Sequence, residues 1–177
     1  MNGVNFVLMF LCFIFLGPLV IEVAGYFWHR YVEHEGMAGK AVMQKHIQHH
    51  EVDYPTSELR PDTTKYKNAK SWSWYVLTVI LIVSALIILP RPYSFFTILG
   101  GLVYAKFAVQ YFHRAFHLPH HWLQNYTWFR NLTHLHDIHH YENANYGIVL
   151  FFMDRVFGTY TKEVPAKKKI VFRHLEA

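Results

Sequence analysis

Thirteen of the fourteen histidines in this 177-residue chain fall in two windows, 29–50 and 113–140. The first window holds His29 and His34 as H-x-x-x-x-H, then His46, His49 and His50 as H-x-x-H-H. The second holds His113 and His117 as H-x-x-x-H, then His136, His139 and His140 as H-x-x-H-H. Steps of three and four residues put side chains on one face of a helix, so three of these clusters present imidazoles in a common direction. His29 and His34 do not. Five residues of continuous α-helix turn a side chain through about 140°, so a bulge or frayed turn is expected near His34, where Glu35-Gly36 makes one easy.

A single histidine on an apolar face is ordinarily a hydrogen-bonded core or interfacial residue. Ten in ligand spacing would leave many polar nitrogens needing partners, and coordination satisfies one nitrogen of each while the other donates outward. Octahedral geometry accepts about six ligands, so ten imidazoles imply two metals with some positions open or shared. Iron and zinc both take imidazole ligands, and of the two only iron is redox-active; zinc is the expected substitute in a purified sample. His120 and His121 spell a rival H-x-x-H-H with His117, but Pro119 interrupts the helix that would align them. His134 points away from His136, and His174 is isolated, so both are set aside.

Both windows begin where an apolar run ends. Residues 4–28, 72–90 and 93–112 each approach the ~20 residues that cross ~30 Å of hydrocarbon, which predicts three transmembrane helices, the first kinked at Pro18. Only Pro90, Arg91 and Pro92 separate the second from the third, so residues 29–71 and 113–177 share one face. Arg91 lies at the opposite end and Lys106 within a span, leaving 15 of the 17 Lys and Arg on the shared face, which is therefore read as cytoplasmic. Lys167 to Lys169 fit anionic headgroups or a solvated tail equally well.

Composition agrees: 53% hydrophobic, 18% aromatic and 16% charged residues suit a chain partly solvated by lipid. The net charge of +5 is assigned to lipid headgroups, not nucleic acid, for which no motif appears. Cys12, alone inside an apolar run, excludes both an intrachain disulfide and a thiolate site. The predicted fold is all-α: a single membrane domain over 1–177, about three spanning helices carrying a cytoplasmic helical cap that holds the dimetal histidine cluster.

This ordered histidine series at the ends of apolar helices resembles the fatty acid hydroxylase and sterol desaturase superfamily, from about Glu22 to Tyr160. Asn145-Tyr146-Gly147 and the stretch Asp154 to Tyr160, DRVFGTY, are similar to the segment after the last cluster in fatty acid hydroxylases and sterol desaturases; IEVAGYFWHRYVEHEG, residues 21–36, is closer to carotenoid hydroxylases. The resemblance implies a diiron centre on the ten histidines, O2 as co-substrate, a fatty acyl, ceramide or similar lipid as substrate, and an external electron donor such as cytochrome b5 or a ferredoxin. It implies hydroxylation, with desaturation, methylsterol oxidation and carotenoid hydroxylation as related outcomes. It also implies the endoplasmic reticulum in a eukaryote or the inner membrane in a bacterium. Three spans where larger members have four suggest completion by a homodimer. The rival class is a non-enzymatic metal protein, such as a transporter or zinc site.

Further expectations concern neighbouring polar groups. Glu22, Asp53, Asp137, Asn145 and Asp154 are candidates to support imidazole N–H groups. Glu22 and Lys106 each precede a histidine by seven residues, which predicts an ion pair between them. Gly100-Gly101 within a span reads as a helix-packing site. GIVLFFMDRVF, residues 147–157, is too short to span and is expected against the membrane or the substrate entrance.

Overall fold

The computed structural model describes residues 3–54, 59–67, 72–164 and 166. The expectations for Lys167 to Lys169 and His174 lie outside them. All regular structure among the described residues is helical. Helix α1 (Gly3–Phe27) continues as a π-helical turn, Trp28–His34; α2 (Lys40–Ile47) continues the same way through Gln48–Asp53. Helices α3 (Ser73–Ile88) and α4 (Tyr93–Ala105) form a hairpin. A third π-helical turn, Lys106–Phe112, joins α4 to α5 (His113–Phe116), and a 3-10 turn at Trp122–Asn125 precedes α6 (Thr127–Tyr141) and α7 (Phe152–Val156).

Two helical stretches are long and apolar enough to cross a membrane, Asn5–His34 and Tyr93–Phe116. The third expected span is shorter: Ser73–Ile88 has 16 residues, about 24 Å of helix against a hydrocarbon core of ~30 Å. Helix α1 passes through Pro18 without ending.

Helices α1 and α4 cross where their side chains vanish. A Cβ on Gly17 would strike the carbonyl oxygen of Thr97 and the amide of Gly101, and one on Gly100 would strike the carbonyl of Ile14. Backbones therefore touch directly, the packing expected of Gly100-Gly101. Phe13 stacks on Tyr93 at 4.5 Å and Phe10 meets Phe96 edge-on at 4.9 Å, closing the far end of the pair. Helix α3 stands off from this pair and leaves an apolar cavity of about 240 Å³, walled by Val20 and Ile21 of α1, Leu81 and Ala85 of α3, and Leu102 and Ala105 of α4.

Beyond the spans, α5, the 3-10 turn and α6 enclose a small core of Ala115, Phe116, Leu123 and Phe129. Gln124 Nε2 donates to the Ala115 carbonyl, which also accepts from the Leu118 amide, tying the 3-10 turn to the end of α5. This core fixes α6 beside α5 and sets the second histidine window against the first.

Residues 147–157 form a turn followed by α7, not a continuous helix. Ile148 reaches Gly25 of α1, and Phe157 stacks on Tyr26 at 5.5 Å, so the segment lies along α1 while Leu150 and Val156 stay exposed.

Candidate metal centre

The π-helical turn at Trp28–His34 resolves the five-residue step. In a π-helix each N–H bonds the carbonyl five residues back, so residues five apart come onto one face. The rings of His29 and His34 lie 5.1 Å apart. His46 ends α2 while His49 and His50 sit in its π-helical extension; His113 and His117 bracket α5; His136, His139 and His140 share one face of regular α6.

These side chains converge in two buried groups. One ring nitrogen from each of His29, His34, His46, His50 and His139 lies within 4.8 Å of all the others, and the same holds for His49, His113, His117 and His140. His136 joins the second group, its Nε2 being 3.1 Å from Nε2 of His117. The groups abut: the His50 and His140 rings stack at 4.0 Å and 15°.

The nitrogens facing inward are lone pairs. His29 Nδ1 lies 2.9 Å from the Tyr146 carbonyl, and His139 Nδ1 lies 2.8 Å from the Ala144 carbonyl. A carbonyl only accepts, so in both rings Nδ1 carries the proton and Nε2 is bare. Yet the Nε2 atoms of His29 and His34 lie 3.1 and 2.9 Å from Nε2 of His46, and those of His34 and His139 are 3.3 Å apart. Both ring nitrogens of His140, and Nδ1 of His49, are buried without a hydrogen-bond partner among the described residues. So many ring nitrogens converging at 2.9–3.3 Å outnumber the protons that could bridge them, and a cation accepts the lone pairs left over, so the residues present fit metal ions.

Protonation does not compete. Burial above all, with neighbouring imidazoles adding to it, holds His46, His49, His50, His117, His136 and His140 well below the ordinary imidazole value; for His139 the same burial prevails over its bond to Ala144. They are neutral at pH 7, the form that binds metal.

The set-aside histidines do other work. His120 is exposed beside Asp62, His121 Nδ1 accepts from the Leu123 amide, and His134 reaches the Lys162 carbonyl.

The supporting groups differ from those expected. Asp154 accepts from the Tyr146 and Gly147 amides, each at 2.7 Å, and Asn145, at φ 52°, donates to the Leu135 and Thr161 carbonyls. Both therefore shape the 144–147 loop whose carbonyls hold His29 and His139, one step removed from the imidazoles. Neither Asp53 nor Asp137 bonds an imidazole among the described residues. Burial instead pushes the Asp137 carboxyl up to about 7 against the nearby Arg60 guanidinium.

Glu22 also serves the backbone: it accepts from the Tyr104 hydroxyl and from the Val149 amide at 3.0 Å. The predicted pair with Lys106 does not form; Lys106 is exposed and donates to Gln110 Oε1 at 3.0 Å. The seven residues from Lys106 to His113 run through the π-helical turn Lys106–Phe112, so they are not two α-turns and the lysine leaves the histidine face.

Three groups went unread in the sequence. Glu33, 1% exposed, faces His46 Nδ1 at 3.6 Å and is held by Ser73 Oγ at 2.8 Å and Trp74 Nε1 at 3.2 Å. Its position four residues after His29 was the available signal. Tyr66 places its hydroxyl 3.1 Å from His113 Nδ1, and the Tyr54 ring stacks on His117 at 3.8 Å. No spacing rule announces those two, because they come from a segment without regular structure.

A family model described as fatty acid hydroxylase matches residues 14–159. The chain belongs to this family. The match begins on α1, ends at Thr159 and contains all ten converging histidines together with Glu33, Asn145 and Asp154. Membership makes an oxidoreductase the class of activity to expect and agrees with helices able to cross a membrane. No curated protein and no solved structure matches the chain.

Proposed function

We propose that the protein is a membrane lipid hydroxylase that inserts one oxygen atom of O2 into a C–H bond of a fatty acyl or similar chain. The observation that carries this reading is the convergence of ten imidazoles, eight of them buried and two half-buried, in two abutting groups at the ends of apolar helices. Two iron ions, when bound, supply the redox chemistry that cleaves O2. The second oxygen atom leaves as water with two protons and two electrons. Those electrons come from an external donor such as cytochrome b5 or a ferredoxin.

The chain's own residues orient and exclude. The Tyr146 and Ala144 carbonyls fix the His29 and His139 rings from outside, and the Glu33 carboxylate faces a third ring, His46. The apolar cavity between α1, α3 and α4 accepts the lipid tail. Glu22 and Tyr104 follow cavity-lining Ile21 and precede cavity-lining Ala105, so their contact stands where the cavity ends toward the histidines. The excess of lysine and arginine supports a site on the cytoplasmic face, and a homodimer is the assembly we propose.

The test is expression of the wild type and of His139→Ala under 18O2, followed by metal analysis and lipid profiling. The expected result is two irons per chain and a lipid product carrying one 18O in the wild type alone. A product lacking two hydrogens and without 18O moves the reaction to desaturation. Unchanged lipids with a metal-loaded chain reject the enzyme reading.

A further inference from the structure

We infer that the two histidine groups retain metal unequally: the group around His46 fills first and holds tightly, while the group around His117 fills last and depends on Tyr66. This rests on the dimetal reading of the site. A ligated neutral imidazole keeps one N–H that needs an acceptor, and a fixed or negative acceptor strengthens the ligand.

The first group has such acceptors. His29 and His139 donate to the Tyr146 and Ala144 carbonyls at 2.9 and 2.8 Å, and the 144–147 loop bearing them is pinned by Asn145 and Asp154. His46 faces the Glu33 carboxylate, which Ser73 and Trp74 hold in place from α3. Carbonyls can only accept, so His29 and His139 are locked in the tautomer that offers Nε2, and the Glu33 carboxylate, 3.6 Å from His46 Nδ1, favours the same tautomer there.

The second group is backed differently. Its outer partner among the described residues is the Tyr66 hydroxyl, 3.1 Å from His113 Nδ1, which is uncharged and can donate as well as accept. Tyr66 belongs to a strap, residues 59–67, laid over the end of α5. Arg60 donates to the Phe116 carbonyl at 3.3 Å, Thr63 donates to the His117 carbonyl, and the Lys67 amide donates to the Tyr54 hydroxyl at 2.7 Å. These bonds satisfy open carbonyls at the helix end, so the strap is seated, but its one link to an imidazole is the Tyr66 hydroxyl. Tyr66 is therefore a positioning residue for the second group.

The experiment is titration of the metal-free, detergent-solubilised protein with Co2+, read by the visible absorption of the bound ion and by competition with a chelator. The expected wild-type result is two phases of one ion each. Tyr66→Phe keeps the ring and removes the hydroxyl; it should weaken the second phase about 10- to 100-fold and leave the first unchanged. Glu33→Gln, or the milder Ser73→Ala should the first fail to accumulate, should weaken the first phase. Two ions bound in a single phase, or a Tyr66→Phe titration that shifts both phases or neither, overturns the inference alone. Uptake of one ion or none overturns the dimetal reading and this inference with it.

Discussion

His29 and His34 stand five residues apart, yet their rings lie 5.1 Å from each other, because Trp28–His34 is wound as a π-helix. The register of that turn, not the histidines alone, makes them members of one group. Deleting Val32 leaves a four-residue step, which an ordinary α-turn also places on one face. Inserting an alanine after Val32 makes a six-residue step that neither ladder accommodates. The deletion should therefore retain more metal than the insertion, measured as metal per purified chain. Equal loss in both variants would show that the turn has no part in placing His34.

Replacing any converging histidine removes a ligand and leaves its neighbours' lone pairs facing a vacancy. His139→Ala should abolish lipid oxidation while the protein still inserts and accumulates. His120→Ala should be nearly silent, since His120 and Asp62 are exposed and such surface pairs contribute ~0–1 kcal/mol. Loss of activity in His120→Ala would revive the His117, His120, His121 assignment. Product formation per milligram of membrane protein, with immunodetection of the chain, separates these outcomes.

The histidine spacing was sufficient to name all ten converging residues because helical periodicity fixes directions within a few turns. What it could not supply was the contact between distant segments. Glu33 meets Ser73 and Trp74 across 40 and 41 residues of chain, and Tyr66 meets His113 across 47. The failed pairing of Glu22 with Lys106 has a related cause. That pairing requires α-helical phase through 106–112, where the chain is π-helical: a turn like the one at His34 also precedes His113. The length of α3 was also overread, since Leu89 turns extended before Pro90 and ends the helix early.

Acid should act on the metal-free protein in a direction fixed by the imidazoles. Burial keeps His46, His49, His50, His117, His136 and His140 well below their ordinary value of 6.5 in the folded chain. Between that depressed value and 6.5 the unfolded chain binds more protons, so folded stability is lost as pH falls through 6.5 and is complete above it. Thermal unfolding of the metal-free protein in detergent should therefore show Tm level above about pH 7.5 and falling progressively below it, and the metal-loaded protein should release its ions as the same imidazoles take up protons. A Tm that is flat or rises on acidification would contradict the buried neutral state of these rings.

The crossing of α1 and α4 tolerates no side chain. At Gly17 and Gly100 a Cβ would collide with backbone atoms that cannot swing aside. Gly17→Ala and Gly100→Ala should each force the helices apart, at a cost of ~1–3 kcal/mol by analogy with overpacked cores. Gly101→Ala meets only ordinary contacts at 3.6 Å and should be milder. Thermal stability of the three purified variants gives the ranking. An equal effect at all three positions would mean that loss of glycine itself, not the close approach, is responsible.

Glu22 ties three segments together. Its carboxylate takes the Tyr104 hydroxyl from α4 and the Val149 amide from the loop before α7, and it is 2% exposed. Glu22→Ala leaves both half-buried donors without their acceptor, which costs at most ~1–3 kcal/mol for each group so stranded. Glu22→Gln keeps one accepting oxygen and should lose less. Partners in one hydrogen-bond network couple by ~0.5–3 kcal/mol, whereas residues without shared partners add independently. The double change Glu22→Gln with Tyr104→Phe should therefore be less damaging than the sum of the two single changes. Glu22→Gln with Lys106→Met should be additive, because Lys106 Nζ is engaged with Gln110 instead. Additivity in the tyrosine cycle together with coupling in the lysine cycle would restore an ion pair within the span and reject the arrangement described. Since the same carboxylate fixes Val149, Glu22→Ala should also speed proteolysis within residues 147–151, while leaving cleavage elsewhere unchanged.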